Sequence, residues 1–312
     1  MTYPKPSGPQ NLYRGIWVPM ITPFKNGDVD YDAAALFAHH LVDAGVHGLV
    51  VCGTTGEGSA LSVREKARIL DTVTLAVAGR IPVFMGLEGA STAKMIAEIS
   101  ELGDWPITGY LLSAPSYVRP SQEGIYRHFM AIGEAVRRPV MMYDIPARTG
   151  VTMTIETIAR LTKGGAFPAI KACGLSDSRL ESLLAIPDLK VMCGDDAWIY
   201  RAFEMGVGGA IAASAQVLPR RFVEAYRFFE RHGAEAAYKW FNTLMPLIHN
   251  MFDEPNPAPV KSALAFQRWC REELRLPMLP VTETCRDSLH AVLHGMHALD
   301  HDELICADKS SK

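Results

Sequence analysis

The chain has 312 residues, of which 48% are hydrophobic and 21% charged, and a formal net charge of −3. That profile belongs to a soluble globular protein with ample core material and gives no encouragement to a nucleic-acid or membrane-surface role. No apolar run approaches the ~20 residues needed to span a bilayer.

Residues 1–12 read as an N-terminal tail, polar and proline-rich up to Gln10, without the basic start and apolar stretch of a signal peptide, so a cytoplasmic protein is expected. From Gly15 to Glu230 short apolar runs then alternate with amphipathic stretches, as in strand-helix units of a parallel sheet. Strands are predicted at 16–23, 48–53, 81–87, 109–113, 139–143, 166–172, 190–193 and 209–213. Their near-continuous hydrophobicity fits strands covered on both faces, and the count of eight favours a closed (β/α)8 TIM barrel over 13–230.

The first helical stripe is Ala34, Phe37, Leu41 and Ala44 behind an Asp30 cap, and a later one is Ile125, Phe129, Ile132 and Val136 behind Ser121. Between them Ser62 and Glu65 form a capping box, so the loop 53–61 joins the second strand to its helix. That loop belongs to the C-terminal rim, where barrel enzymes carry their sites. Residues 231–312 read as a C-terminal helical extension, with stripes through Ala237, Phe241, Leu244, Ile248 and Met251 and through Leu289, Val292, Leu293 and Met296. Pro255, Pro257, Pro259, Pro277 and Pro280 set the helix boundaries there. The six cysteines form no C-x-x-C pair and read as reduced and structural.

Four places carry residues suited to chemistry. Gly53-Thr54-Thr55-Gly56-Glu57 offers two glycines, two hydroxyls and backbone N–H groups to a small carboxylate, or is an ordinary turn; its spacing is not that of a nucleotide loop. Tyr143 closes the fifth strand, where a phenol either shuttles protons or packs as an aromatic. Arg148 either clamps a carboxylate or is solvated. Lys171 closes the sixth strand, where a barrel wall desolvates it and lowers its pKa, leaving an amine that attacks a carbonyl; the alternative is a lysine snorkelling into water. Gly206-Val207-Gly208-Gly209 makes a turn more simply than a phosphate site, and His297, Asp300, His301 and Asp302 lie in a polar tail where no metal site is expected.

Taken in their order and spacing, Gly53 to Glu57, Tyr143 to Gly150 and Ile170-Lys171 resemble the dihydrodipicolinate synthase and N-acetylneuraminate lyase family of pyruvate-dependent class I aldolases, over residues 13–297. The resemblance implies a (β/α)8 barrel with a C-terminal helical extension. It makes Lys171 the Schiff-base lysine and Tyr143 the proton-transfer residue. Thr54 links Tyr143 to a tyrosine lent by the neighbouring subunit, which Tyr117 matches. Thr54 and Thr55 hold the pyruvate carboxylate and Ile211 lines the pyruvate pocket. No metal or organic cofactor is implied, and the assembly is a homotetramer, a dimer of dimers.

Arg148, the segment 254–261 and the segment 274–278 resemble the synthases, whose second substrate is aspartate semialdehyde and whose product leads to lysine and diaminopimelate. Glu88 and Asp144 depart from the synthase pattern at strand ends expected to face the site. They leave open an aldolase or dehydratase of a sugar-derived 2-keto acid, with Glu88 binding its hydroxyls. A non-catalytic pyruvate-binding regulator is the rival from another class. At the positions where lysine-regulated members grip their inhibitor this chain has Ala90, Lys94 and Ser116, which implies weak lysine inhibition or none.

Overall fold

In the computed structural model, residues 12–102 and 105–309 are described, without the side chains of 297–309. Most of the N-terminal tail, Cys306 and the group His297, Asp300, His301 and Asp302 therefore lie outside the described residues or side chains.

Eight strands, β1 (Gly15–Pro19), β2 (Gly48–Val51), β3 (Val83–Leu87), β4 (Gly109–Ser113), β5 (Val140–Asp144), β6 (Ala169–Ala172), β7 (Lys190–Cys193) and β8 (Gly209–Ile211), form a closed barrel. Every pairing is parallel, and β8 closes on β1 through Gly15↔Gly209. The strands alternate between two apolar environments. Trp17, Val50, Phe84, Leu111, Met141, Met192 and Ile211 fill the barrel, while Ile16, Val18, Leu49, Val51 and Met85 join the larger core under the helices. This double burial is why the strands read as unbroken hydrophobic runs. Inside, the Trp17 ring meets Phe84 edge-on at 5.2 Å. It fits only because its register partner is Gly48, where a Cβ would lie 2.4 Å from the indole.

All eight predicted strands are present, 109–113 and 190–193 with the predicted bounds and the others shifted or trimmed at their ends. Three start immediately after a proline, Pro82, Pro139 and Pro168, which has no N–H for the ladder. Their carbonyls still accept hydrogen bonds from Leu49, Tyr110 and Lys190 at 3.0, 3.0 and 2.9 Å.

The helices are α1 (Tyr31–Asp43), α2 (Val63–Val77), α3 (Thr92–Leu102), α4 (Gln122–Ala135), α5 (Pro146–Thr149), α6 (Ile155–Thr162), α7 (Asp177–Leu184), α8 (Ile199–Glu204), α9 (Pro219–Asn250), α10 (Ala258–Phe266) and α11 (Glu283–Lys309). The caps read from sequence are made: Asp30 accepts from Ala33 N–H, Ser121 from Gly124 N–H, and Ser62 and Glu65 bond reciprocally. The one-turn helix α5 was not foreseen. Helix α9 begins as the last barrel helix and runs on into the helical tail across a break at Gly233, whose φ of 80° suits glycine.

The tail folds back over the rim of the barrel. Arg275 pairs with Glu65 of α2 at 2.5 Å, and the buried Lys261 of α10 pairs at 2.5 Å with Glu57 of the β2–α2 loop. Two of the rim's carboxylates are thus held by cations that the tail supplies. Among the described residues no helix is long and apolar enough to cross a membrane.

Candidate active site

A cavity of about 620 Å³ opens at the C-terminal ends of the strands. It is lined by Lys171, Tyr143, Thr54, Thr55, Arg148 and Ile211 together with Cys173, Gly194, Asp195, Asp196 and the tail segment 252–256. Six of the seven residues singled out from sequence therefore converge there. The seventh, Tyr117, is 92% exposed and outside that wall. It stands on a loop where Tyr117 and Arg119 both have positive φ, 70° and 42°. That backbone costs energy for residues bearing a Cβ.

Register creates the central pair. Tyr143 and Lys171 are direct partners across β5 and β6, so both side chains enter the barrel mouth side by side. Lys171 Nζ donates to the Tyr143 hydroxyl at 3.3 Å and lies 4.3 Å from the ring centre. Both side chains are buried. Gly194 at the end of β7 makes room for the lysine, since a Cβ there would lie 2.9 Å from Lys171 Cε and 2.5 Å from Cys173 Sγ.

Burial acts to lower the pKa of Lys171, but the anionic forms of Tyr143 and Cys173 and the Asp196 carboxylate raise it, and the net direction is upward. The simple depression expected from sequence is not what this pocket produces. Burial pushes the Tyr143 phenol up to about 12 and the Cys173 thiol up to about 12, so both are neutral at pH 7 and their pull on the ammonium is absent there. The Asp196 carboxylate also acts on the ammonium; it is itself buried, which raises its pKa, and accepts from Ala213 N–H at 3.2 Å and Ser214 N–H at 2.6 Å. The lysine thus has a neutral phenol in hydrogen-bond reach of its nitrogen.

The opposite wall comes from the β2–α2 loop and the tail. Thr55 Oγ1 accepts from Asn256 Nδ2 at 3.0 Å, and Arg148 donates through Nη2 to the Asn256 carbonyl at 3.0 Å. Asn256 Oδ1 is buried without a protein partner. One tail residue therefore ties a threonine and an arginine of the site together and leaves an acceptor for a ligand donor.

Sequence reasoning missed Asn256, Asp196 and Cys173 as residues of the site. The signal for Asp196 was present, because Gly194-Asp195-Asp196 follows a strand directly at the active rim. Cys173, read as a structural hydrophobe, lines the cavity. The two departures from the synthase pattern also sit differently from expectation. Glu88 is outside the cavity wall; its carboxylate is held by the backbone and hydroxyl of Ser59, and burial raises its pKa. Asp144 faces away from the barrel, fully buried, and pairs with Arg179 of α7. Strand alternation explains this, because Tyr143 takes the inward position. Among the described residues no three His, Cys, Asp or Glu side chains are grouped so as to hold a metal ion.

Comparison with known proteins places this geometry. The profile of the dihydrodipicolinate synthetase family matches residues 12–296. A 4-hydroxy-tetrahydrodipicolinate synthase of Pelobacter propionicus is 35% identical over 284 residues, covering 90% of this chain and 98% of the relative. The dihydrodipicolinate synthase of Acinetobacter baumannii, solved in complex with pyruvate, superposes with a TM-score of 0.87 at 30% identity, covering 90% of this chain and 98% of its own. The enzyme of Cyanidioschyzon merolae, solved with lysine bound, superposes with a TM-score of 0.86 at 29% identity, covering 91% and 98%.

Proposed function

The chain belongs to the dihydrodipicolinate synthetase family, and from that premise we propose that it is a lyase condensing pyruvate with aspartate semialdehyde to 4-hydroxy-tetrahydrodipicolinate. The observation that carries the reading is a buried lysine amine in contact with a buried phenol on the floor of an open cavity, with an arginine at its rim. Simple binding of a keto acid does not call for that amine-phenol pair, which argues against the non-catalytic rival. The sugar-acid rival is less well supported, since Glu88 lies outside the cavity wall.

In this reading the Lys171 amine attacks C2 of pyruvate, and the carbinolamine loses water as Tyr143 returns a proton to the departing hydroxyl. Loss of a proton from the pyruvate methyl gives the enamine, whose carbon adds to the aldehyde of the semialdehyde. The amine of that second substrate then attacks the imine carbon, closing the ring and expelling Lys171. Thr54 and Thr55 hold the pyruvate carboxylate, Ile211 packs on the bound pyruvate, and Arg148 takes the carboxylate of the semialdehyde. The protonated imine is the electron sink, so the cycle balances without a metal or organic cofactor.

Tyr117 completes the proton path from outside, in the site of a neighbouring subunit through Thr54. Its exposure on a strained loop supports an assembly of at least two chains, which we extend to a homotetramer made of two tight dimers. The cytoplasm is the compartment in which we place it. Incubation with pyruvate and borohydride tests the core of the proposal: one pyruvate-derived mass is expected on Lys171. Labelling of another buried lysine, Lys66 or Lys261, or no labelling of active protein, overturns it.

A further inference from the structure

Tyr143 and Asp144 are consecutive on β5 and serve opposite faces. The phenol enters the cavity, while the carboxylate is buried behind it. Asp144 Oδ1 accepts from Met153 N–H at 3.1 Å, and Oδ2 pairs with Arg179 Nη2. The same Nη2 also donates to the Met153 carbonyl at 2.9 Å. Asp144 and Met153 are the two ends of the segment that carries α5 and Arg148, so one carboxylate and one guanidinium close that segment into a ring. Inside the ring Thr149 Oγ1 bonds the carbonyls of Ile145 and Val151 at 3.1 and 2.9 Å, and the far end of Arg148 is held by the Asn256 carbonyl.

Arg179 is itself fixed. It lies in the first turn of α7, where its backbone N–H is capped by Ser176 Oγ at 3.3 Å. The clamp therefore refers the Arg148 segment to a barrel helix rather than to the substrate. Neither Asp144 nor Arg179 is part of the cavity wall.

We propose that the Asp144–Arg179 pair is a positioning device for Arg148 and, through it, sets the enzyme's affinity for the carboxylate of the second substrate. The inference rests on the assignment of Arg148 made above. A bidentate contact between arginine and a carboxylate depends steeply on placement, and a shift of ~1 Å can cost ~10²-fold. Lysine at 179 keeps the charge but loses the planar fork. Asparagine at 144 keeps the acceptor for Met153 N–H and removes the charge.

The experiment compares wild type, Arg179→Lys, Asp144→Asn, Arg148→Ala and Arg148→Ala/Arg179→Lys. KM is measured separately for pyruvate and aspartate semialdehyde, alongside the rate of borohydride labelling by pyruvate. Arg179→Lys is expected to raise KM for the semialdehyde about tenfold or more, with pyruvate KM and labelling within about twofold. In the Arg148→Ala background it is expected to add nothing further, because its effect passes through Arg148. Should Arg179→Lys fail to fold, the isosteric Asp144→Asn carries the same test. Equal losses toward both substrates, or additive effects in the double variant, overturn the proposal. Failure of wild-type labelling, or an Arg148→Ala variant with unchanged semialdehyde KM, overturns instead the functional reading beneath it.

Discussion

Among the described residues three lysines are buried, Lys66, Lys171 and Lys261, and their surroundings separate their roles. Lys66 pairs with Glu98 at 2.6 Å. Lys261 faces Glu57 at 2.5 Å and donates to the Glu273 carbonyl at 2.8 Å, so its charge is matched within the protein. Among the described residues Lys171 has only a neutral phenol within hydrogen-bond distance, and Asp196, the carboxylate whose charge acts on it, is already engaged by two backbone N–H groups. The consequence is tested by Tyr143→Phe, which removes the hydroxyl but keeps the ring beneath Nζ. Turnover is expected to fall by about 10²–10⁴-fold, the usual contribution of a positioned proton-transfer group. The circular dichroism spectrum should stay unchanged. A loss below tenfold would mean that water or another side chain carries the proton. At this scale the sequence was legible wherever a residue closes a strand, as Tyr143 and Lys171 do, because the barrel sends strand ends to the site. It was less legible for Asp144 and Glu88, since which face a strand-end residue takes depends on register, and Ser59 and Arg179 are distant in sequence from the carboxylates they hold.

Strands and helices followed from apolar periodicity because each has one consistent environment, barrel interior on one side and helix layer on the other. Their ends did not, because Pro82, Pro139 and Pro168 delay the ladder while adding nothing to the hydrophobic pattern. The contacts between the tail and the barrel were also hidden: Arg275 meets Glu65 across 210 positions of sequence. Glu65 is the N3 residue of the α2 capping box and the partner of the tail arginine, and hydrogen bonds from Arg275 bring its carboxyl from the ordinary 4.5 down to about 2. The unfolded carboxyl binds protons more readily than the folded one, so the stabilisation is whole above 4.5 and is lost as pH falls toward about 2. Discounted for the solvent that reaches the pair, Glu65→Gln is expected to cost about 1–2 kcal/mol at neutral pH. Urea midpoints of wild type and variant, taken at neutral pH and again well below 4.5, should therefore converge in acid. A gap that persists there would assign the effect to the neutral cap rather than to the ion pair.

For the whole molecule, the role proposed for Tyr117 ties activity to association and makes the surface around that residue the place where regulation would be felt. A related enzyme has been solved with lysine bound, and the resemblance places the corresponding cleft of this chain at Ala90, Lys94 and Ser116. Lys94 is exposed in the first turn of α3, its N–H bonded to Ser91 Oγ at 3.4 Å. An ammonium approaching it meets a like charge, and Ala90 has no polar side-chain atom to offer a ligand. Of the carboxylates nearby in sequence, Glu98 is paired with Lys66 at 2.6 Å. Glu88 is bound by the Ser59 backbone and hydroxyl, and burial favours its neutral form. Recruiting it would mean breaking those bonds and ionising it in a partly desolvated place, which opposes tight binding. Free lysine is therefore expected to inhibit weakly or not at all when titrated into a steady-state assay at saturating pyruvate. Inhibition at sub-millimolar lysine that disappears in Glu88→Gln would show that Glu88 leaves Ser59 to grip the inhibitor. Inhibition that survives that substitution would place the lysine site elsewhere on the assembly.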